Sequence, residues 1–464
     1  MLYNWIMKKN SPSKYYIITF GCQMNHSDSQ RMAALLLANG LVQAKNEDEA
    51  DLIVINSCSV RQMAEDRTYG KINKLAKKKN RPRIVATGCL VSDKIRNKLL
   101  RQSKFDLCLP IDRMIDLPEY LEKWGLIKVL GSRFKVLGKE LIKEGNYKHY
   151  LDIVPRFEQT FSAYLPIMTG CNNFCSYCAV PFTRGREVSR PMKDIIKEAK
   201  ALADNGCVEL ILLGQNVNSY RGELKVQSSK LKVGNNNKFV ELLEKISDIK
   251  QLKRILFISS HPKDMSDELI DLVASRDNLC KYIHLPLQSG DDEILKKMNR
   301  YYTQRDYLKL AKKIKDRISG VVISTDVIVG FPGETEKQFA NTCRVFKEVG
   351  FDMAYISEYS PRPKTAAAKL VDDVPNVVKA KRKKILNDDY LAKSSLANKK
   401  RLLNKVIPVL VSKNNRKGTL IAYTQGLQQV HLEGDKSLIG KIIDAKITEV
   451  FIWGMKGTTI NTNS

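Results

Sequence analysis

Between residues 15 and 89 the chain repeats one short pattern three times: an apolar run that reads as a strand, a small residue, then a cysteine. Residues 15–20 run into Gly21-Cys22, residues 52–56 into Ser57-Cys58, and residues 83–87 into Gly88-Cys89. A helical pattern follows the first cysteine and ends at Gly40, and a Lys-rich helix follows the second. Strands that alternate with helices in this way pair in parallel, with helices packed on the faces of the sheet. All strands of such a sheet point the same way, and ligands bind just beyond their carboxyl ends. Cys22, Cys58 and Cys89 are therefore expected on one edge of one sheet, where three thiols can converge. Three unrelated buried cysteines would have no reason to recur at the same place after a strand.

The rest of the chain extends this α/β reading. At ~150 residues per domain, 464 residues correspond to about three domains. Residues 14–135 read as the N-terminal parallel α/β sheet domain and 155–395 as a second α/β domain, with 399–464 as a small third one. Residues 100–160 carry little pattern, apart from Lys128-Val129-Leu130-Gly131 recurring at 135–138. Residues 208–213, 254–259, 282–287, 322–329 and 353–358 are candidate strands, separated by helices that open on capping boxes from Thr303 to Asp306 and from Thr335 to Gln338. This predicts a central partial (β/α) barrel with its active site at the carboxyl ends of the strands. Residues 221–238, rich in Lys, Ser and Asn, read as an inserted loop. A basic helix follows Pro375, with Lys379, Lys381, Arg382, Lys383 and Lys384, and leads to Lys399-Lys400-Arg401. Beyond it, closely spaced strands at 406–412, 419–423, 429–432 and 441–448 predict a small all-β barrel.

Composition narrows the function classes. With 43% apolar and 28% charged residues the chain is globular. Its net charge of +28 points to a polyanion, most commonly nucleic acid, although a lysine-rich composition can arise without any binding patch. The apolar stretch before Lys8-Lys9 is too short for a signal peptide, and no run approaches the ~18 residues of a membrane span. A cytoplasmic protein with no membrane association is expected. Ten cysteines in a reducing compartment then call for metal, catalysis or burial rather than disulfides.

The motif richest in chemistry is Cys171-Asn172-Asn173-Phe174-Cys175-Ser176-Tyr177-Cys178, a C-x3-C-x2-C run. Three thiolates on one loop can grip one face of a four-iron cluster. A structural zinc site would require a fourth ligand, and no other Cys or His lies nearby in sequence. Three protein ligands leave one iron open to a substrate or cofactor.

This spacing, with Tyr177 before the last cysteine, resembles the radical S-adenosylmethionine (SAM) superfamily. The longer string from Gly170 to Pro191 is similar to the methylthiotransferases within it. So are Thr19-Phe20-Gly21-Cys22-Gln23-Met24-Asn25, Gly214-Gln215-Asn216-Val217-Asn218-Ser219-Tyr220, His284-Leu285-Pro286-Leu287-Gln288-Ser289-Gly290, Val329-Gly330-Phe331-Pro332-Gly333-Glu334 and Tyr359-Ser360-Pro361-Arg362-Pro363. The first two of these resemble the branch that acts on isopentenyladenosine in tRNA. The resemblance implies that Cys171, Cys175 and Cys178 bind a 4Fe-4S cluster whose open iron chelates SAM, which is cleaved to a 5′-deoxyadenosyl radical. It implies a second 4Fe-4S cluster on Cys22, Cys58 and Cys89, linked to the sulfur supplied. Sulfur is then inserted at carbon 2 of the adenine, and a second SAM methylates it. The partners implied are tRNA, isopentenylated in its anticodon loop, and a reductant such as flavodoxin or ferredoxin. The tail resembles TRAM, an OB-like RNA-binding β-barrel. No heptad pattern suggests an obligate partner helix, so a monomer is expected.

Weaker candidates stand beside these. Tyr177 lines the SAM adenine if it follows its relatives, or simply packs. Gly214 and Gln215 follow a barrel strand where close backbone approach to SAM is possible. Gln288, Asp326 and Gly330 sit near strand ends, where turn and capping roles compete. Arg184 and Arg186 are candidates for RNA phosphate or surface salt bridges. His284 reads as a satisfied core histidine, and Cys108, Cys207, Cys280 and Cys343 as buried apolar residues. Lys364 stands where relatives carry glycine, so a different turn is expected there. The competing functions are methylthiotransfer to threonylcarbamoyl-adenosine in tRNA or to a ribosomal-protein aspartate, and a non-catalytic iron–sulfur RNA-binding protein.

Overall fold

The computed structural model describes residues 11–59, 62–78, 80–91, 104–127, 150–157, 160–222, 238–415 and 418–460. The N-terminal ten residues, the repeat at 128–138 and most of the polar insertion lie outside them. The chain divides into two compact units, one made of Met1–Glu158, Thr169–Asn172 and Ala179–Arg186, the other of Gln159–Met168, Asn173–Cys178 and Glu187–Ser464.

The first unit is built on a parallel sheet of β1 (Lys14–Phe20), β2 (Val42–Gln43), β3 (Leu52–Ser57), β4 (Arg83–Thr87) and β5 (Leu107–Cys108), in the order β2-β1-β3-β4-β5. Every residue of β3 is buried, as expected of a central parallel strand covered on both faces. Alternate residues supply two separate cores. Val54 and Val85 pack with Met32, Leu35 and Leu36 of helix α1 (Gln23–Ala38). Ile53, Ile55 and Ile84 pack with Ile72 and Leu75 of helix α2 (Gln62–Leu75). The helices after β1 and β3 thus cover opposite faces, and the strand order reverses between these two strands. That reversal opens a crevice at their carboxyl ends, the usual ligand site of such sheets.

In the second unit two three-stranded parallel sheets, Ser162–Pro166, Glu209–Leu213 and Arg254–Phe257, then Tyr282–His284, Val322–Val329 and Met353–Glu358, are joined by a parallel bridge from Ile255 to Leu279. They form the partial barrel expected. Thr303 and Thr335 cap the helices Gln304–Arg317 and Glu336–Val349 through the two capping boxes read from the sequence. The basic helix Asn376–Ile385 is not a uniformly solvated face: Lys379 and Arg382 point inward, to Asp372 at 2.6 Å and Glu334 at 2.9 Å.

The C-terminal strands close a five-stranded barrel. Its last strand, Gly454–Thr459, escaped the sequence reading because Gly454 and Gly457 dilute its strand pattern; Gly457 is needed, since a Cβ there would lie 2.8 Å from the Lys446 carbonyl. This barrel is docked on the amino ends of the larger barrel's strands. Arg254 pairs with Glu209 at 2.9 Å and donates to the Thr424 carbonyl at 2.9 Å, and Gly426 packs on Val322. Among the described residues, no helix is long and apolar enough to cross a membrane.

Candidate cluster sites

The register of the first sheet places the three cysteines as the repeated pattern predicted. Phe20 pairs with Ser57 and Asn56 with Thr87, so the chain reaches Cys22, Cys58 and Cys89 immediately past one edge. The Cys58 amide donates to the Phe20 carbonyl at 2.8 Å. Behind the thiols lies a buried amide network. Asn25 Oδ1 accepts from the Cys22 amide at 3.2 Å, Asn25 Nδ2 donates to Asn56 Oδ1 at 2.9 Å, and Asn56 Nδ2 donates to the Asn25 carbonyl at 2.7 Å. Gly88 (φ 83°) turns the chain after β4 toward this network; a Cβ there would stand 2.3 Å from Asn56 Oδ1 and 2.7 Å from the Ser57 carbonyl.

Arg184 is neither a surface salt-bridging residue nor a phosphate contact, contrary to expectation. Its guanidinium is buried in the first unit, with Nη2 2.6 Å from Asp28 Oδ2, Nε donating to Cys89 Sγ at 3.1 Å and Nη1 to the Tyr150 hydroxyl at 3.3 Å. Burial opposes its charge, but Asp28 and Cys89 outweigh that and hold its pKa well above the usual value. Burial likewise pushes the Cys89 thiol up, while Arg184 pulls it down and Cys22 adds to the rise. Asn25, Asn56, Asp28 and Tyr150 carried no separate signal in the sequence, although Asn25 stands in the quoted Gly-Cys-Gln-Met-Asn string.

The C-x3-C-x2-C loop is held along its whole length. In the first unit the Cys171 amide donates to the Gly185 carbonyl at 3.3 Å, and Gly170 (φ 75°) approaches the Arg186 backbone so closely that no Cβ fits. In the second unit Asn299 donates to the carbonyls of Asn173 (3.2 Å) and Phe174 (3.0 Å), and the Ser176 amide donates to the Met298 carbonyl at 3.0 Å. Arg300 Nη1 donates to Cys175 Sγ at 3.5 Å while its guanidinium stacks on Tyr302. Tyr177 packs against Ile294, Met298, Phe331, Tyr359 and Ala367.

Gly214 allows the strand Glu209–Leu213 to turn against Met168, whose Cγ would lie 2.6 Å from a Cβ. Buried side-chain atoms without a partner then gather past the barrel strands: Gln215 Oε1, Asn216 Oδ1 and His261 Nε2. His261 Nδ1 accepts from the Lys263 amide, and burial, reinforced by Arg300 and Lys263, pushes the imidazole pKa down to about 2. The ring is therefore neutral, with its proton on the unpartnered Nε2. His261 lacked a motif signal and was missed. His284 is satisfied, between Ser324 at 2.9 Å and Asp326 at 3.2 Å. Gln288 (φ 67°) forms a turn, and Gly330 donates to Glu334. Lys364 adopts φ 72°, a left-handed conformation that glycine reaches without a steric cost.

No disulfide joins any of the ten cysteines, and Cys108, Cys207, Cys280 and Cys343 are all buried. Among the described residues no group of His, Cys, Asp and Glu is arranged to hold a metal ion. Two sulfur-only donor sets, one from three strand ends and one from a single loop, with buried unpartnered Ser59 Oγ and Thr87 Oγ1 at the sheet edge and Gln215 and His261 at the barrel mouth, fit iron–sulfur clusters and a polar cofactor better than a single ion.

Three family models match consecutive stretches: Uncharacterized protein family UPF0004 over residues 14–109, Radical SAM superfamily over 165–346 and TRAM domain over 400–451. The fold resembles that of the radical S-adenosylmethionine methyltransferase TsrM from Kitasatospora setae, at a TM-score of 0.51 and 14% identity, covering 77% of this chain and 74% of that one. The fold and cysteine loop thus define a radical SAM protein with a TRAM domain. Curated relatives narrow the class: tRNA-2-methylthio-N(6)-dimethylallyladenosine synthases of Clostridium tetani (39% identity, 97% of both chains), Alkaliphilus oremlandii (40%, 98% of this chain and 94% of that) and Dictyoglomus thermophilum (39%, 96% and 98%). The chain belongs to the family of tRNA-2-methylthio-N(6)-dimethylallyladenosine synthases.

Proposed function

We propose that this enzyme inserts sulfur at carbon 2 of N6-isopentenyladenosine beside the tRNA anticodon and methylates it, yielding 2-methylthio-N6-isopentenyladenosine. The observation that carries this reading is the 39% identity to such a synthase over 97% of both chains. The cofactors are two 4Fe-4S clusters and SAM, and tRNA is the substrate. The two cysteine triads remain unexplained by a non-catalytic RNA-binding protein, and the curated relatives give no support to a threonylcarbamoyl-adenosine or ribosomal-protein target.

In this reading Cys171, Cys175 and Cys178 hold the SAM-binding cluster, and Cys22, Cys58 and Cys89 the second. When bound, these groups supply the electron for reductive SAM cleavage and the sulfur to be transferred. Asn299, Arg300 and the backbone of Met298 hold the first thiolate loop in one shape, so no reorganisation is needed when the cofactor arrives. Gly214 keeps the strand end free of a side chain, Gln215 offers an acceptor and His261 a neutral N–H donor toward a polar ligand, and Tyr177 closes the apolar side of the loop. The TRAM barrel and the excess of lysine and arginine support tRNA binding. A flavodoxin- or ferredoxin-type reductant, a monomeric state and a cytoplasmic location complete the proposal.

Nucleoside analysis of a deletion strain tests it. Loss of 2-methylthio-N6-isopentenyladenosine, accumulation of its unmethylthiolated precursor, and recovery on complementation are expected. Persistence of the modification in a strain without a paralogue would overturn the reading.

A further inference from the structure

We propose that Arg184 is a positioning residue of the N-terminal triad, and that its charged hydrogen bond to Cys89 raises the reduction potential of the cluster held there. The inference rests on the assignment of Cys22, Cys58 and Cys89 as ligands. Arg184 lies 95 residues from Cys89 in sequence, yet its Nε reaches Cys89 Sγ at 3.1 Å. The side chains of Arg184 and Asp28 are only 2% and 0% exposed, so the guanidinium stands in a medium that screens its charge little.

The way Arg184 divides its donors separates this role from an ordinary buried ion pair. An arginine that serves a carboxylate alone frequently makes two parallel bonds to it. Here Asp28 Oδ2 receives one bond, from Nη2, and Asp28 Oδ1 is buried without a hydrogen-bond partner. Nε is directed at the sulfur and Nη1 at the Tyr150 hydroxyl. The bidentate pair is given up to keep a donor on Cys89. A donor on a ligand sulfur withdraws negative charge from the cluster and favours its reduced, more negative state. Asp28 holds the guanidinium in place and moderates its charge, and Tyr150 fixes its third corner.

The test uses the full chain with Cys171, Cys175 and Cys178 changed to alanine, leaving one triad, reconstituted anaerobically with iron and sulfide. A redox titration followed by electron paramagnetic resonance reads the midpoint potential. Arg184→Gln should shift it to a more negative value at unchanged iron and sulfide content, and Arg184→Lys should restore part of the shift. Because glutamine leaves the Asp28 charge buried alone, the pair Asp28→Asn with Arg184→Gln replaces the single variant if that one does not fold. An iron-loaded glutamine variant with an unchanged potential overturns the proposal, and so does loss of iron in every variant including lysine. Where glutamine alone fails to load iron, the potential of the iron-loaded pair decides: a more negative value than the parent's supports the proposal, and an unchanged one overturns it. Failure of the ligand assignment reads differently: Cys89→Ala would then bind as much iron as its parent.

Discussion

Asn25 and Asn56 lock together the turns that carry Cys22 and Cys58: each side-chain amide donates to the other residue, at 2.9 Å and 2.7 Å, and Asn25 also accepts from the Cys22 amide. Both are fully buried, so an amide left without its partner has no water to turn to. Asn56→Ala should destabilise the protein by about 2–3 kcal/mol, the cost of unsatisfied buried groups, as read by denaturant unfolding. Under the proposed ligand assignment it should also lower the iron bound by the N-terminal triad in protein whose Cys171, Cys175 and Cys178 are alanine. Full iron content in that variant would show that the thiols keep their places without the amide pair.

Gly88 and Gly40 provide a matched comparison. Both have φ 83°, but a Cβ on Gly88 meets Asn56 and the Ser57 carbonyl, whereas one on Gly40 meets nothing within 4 Å. Gly40→Ala should cost about 1 kcal/mol for the left-handed backbone alone. Gly88→Ala should cost at least about 2 kcal/mol more, in the range of overpacked sites, with loss of iron from the N-terminal triad. Equal losses of stability by chemical denaturation would remove the argument for close approach.

Arg254 joins the two barrels of the second unit, held by Glu209 and by the Thr424 carbonyl. Arg254→Ala leaves the buried Glu209 carboxylate without its cation and should cost about 3–5 kcal/mol. Proteolysis of the C-terminal barrel should accelerate and tRNA affinity fall, while SAM cleavage to 5′-deoxyadenosine persists. Arg254→Met, which keeps the packing volume, should leave the same weakness at the Thr424 contact. Unchanged proteolysis in both variants would show that Gly426 and its neighbours dock the barrel unaided.

His261 predicts an acid limb in the stability profile. Its pKa falls from 6.5 unfolded to about 2 folded, so below pH 6.5 the unfolded chain binds a proton that the folded one does not. This residue's contribution is therefore present above pH 6.5 and lost as the pH falls, at up to about 1.4 kcal/mol per pH unit. In thermal melts from pH 7.5 to 5, the wild type should lose more stability than His261→Gln. Parallel profiles would mean that the imidazole takes up its proton in the folded state.

Much of the architecture and the placement of the six cysteines of the two triads, three past one sheet edge and three on one loop, were legible in the sequence because they depend on local order. A residue immediately after a parallel strand lies at the carboxyl edge of the sheet wherever the rest of the chain goes, which placed Cys22, Cys58 and Cys89. Three cysteines within eight residues likewise share one loop. Capping boxes at Thr303 and Thr335 are equally local and occur as read. The groups that act on those thiols were decided only by the tertiary structure. Arg184 sits 156 residues from Asp28, and its identity as a basic residue near a cluster loop suited a surface role as well as a buried one. His261 and Asn56 showed nothing beyond ordinary composition until folding set them beside Arg300 and Asn25. A strand's direction is written in its neighbours, but burial and hydrogen-bond partners arise from segments that meet across the fold, and these set the charge and rigidity around each thiol.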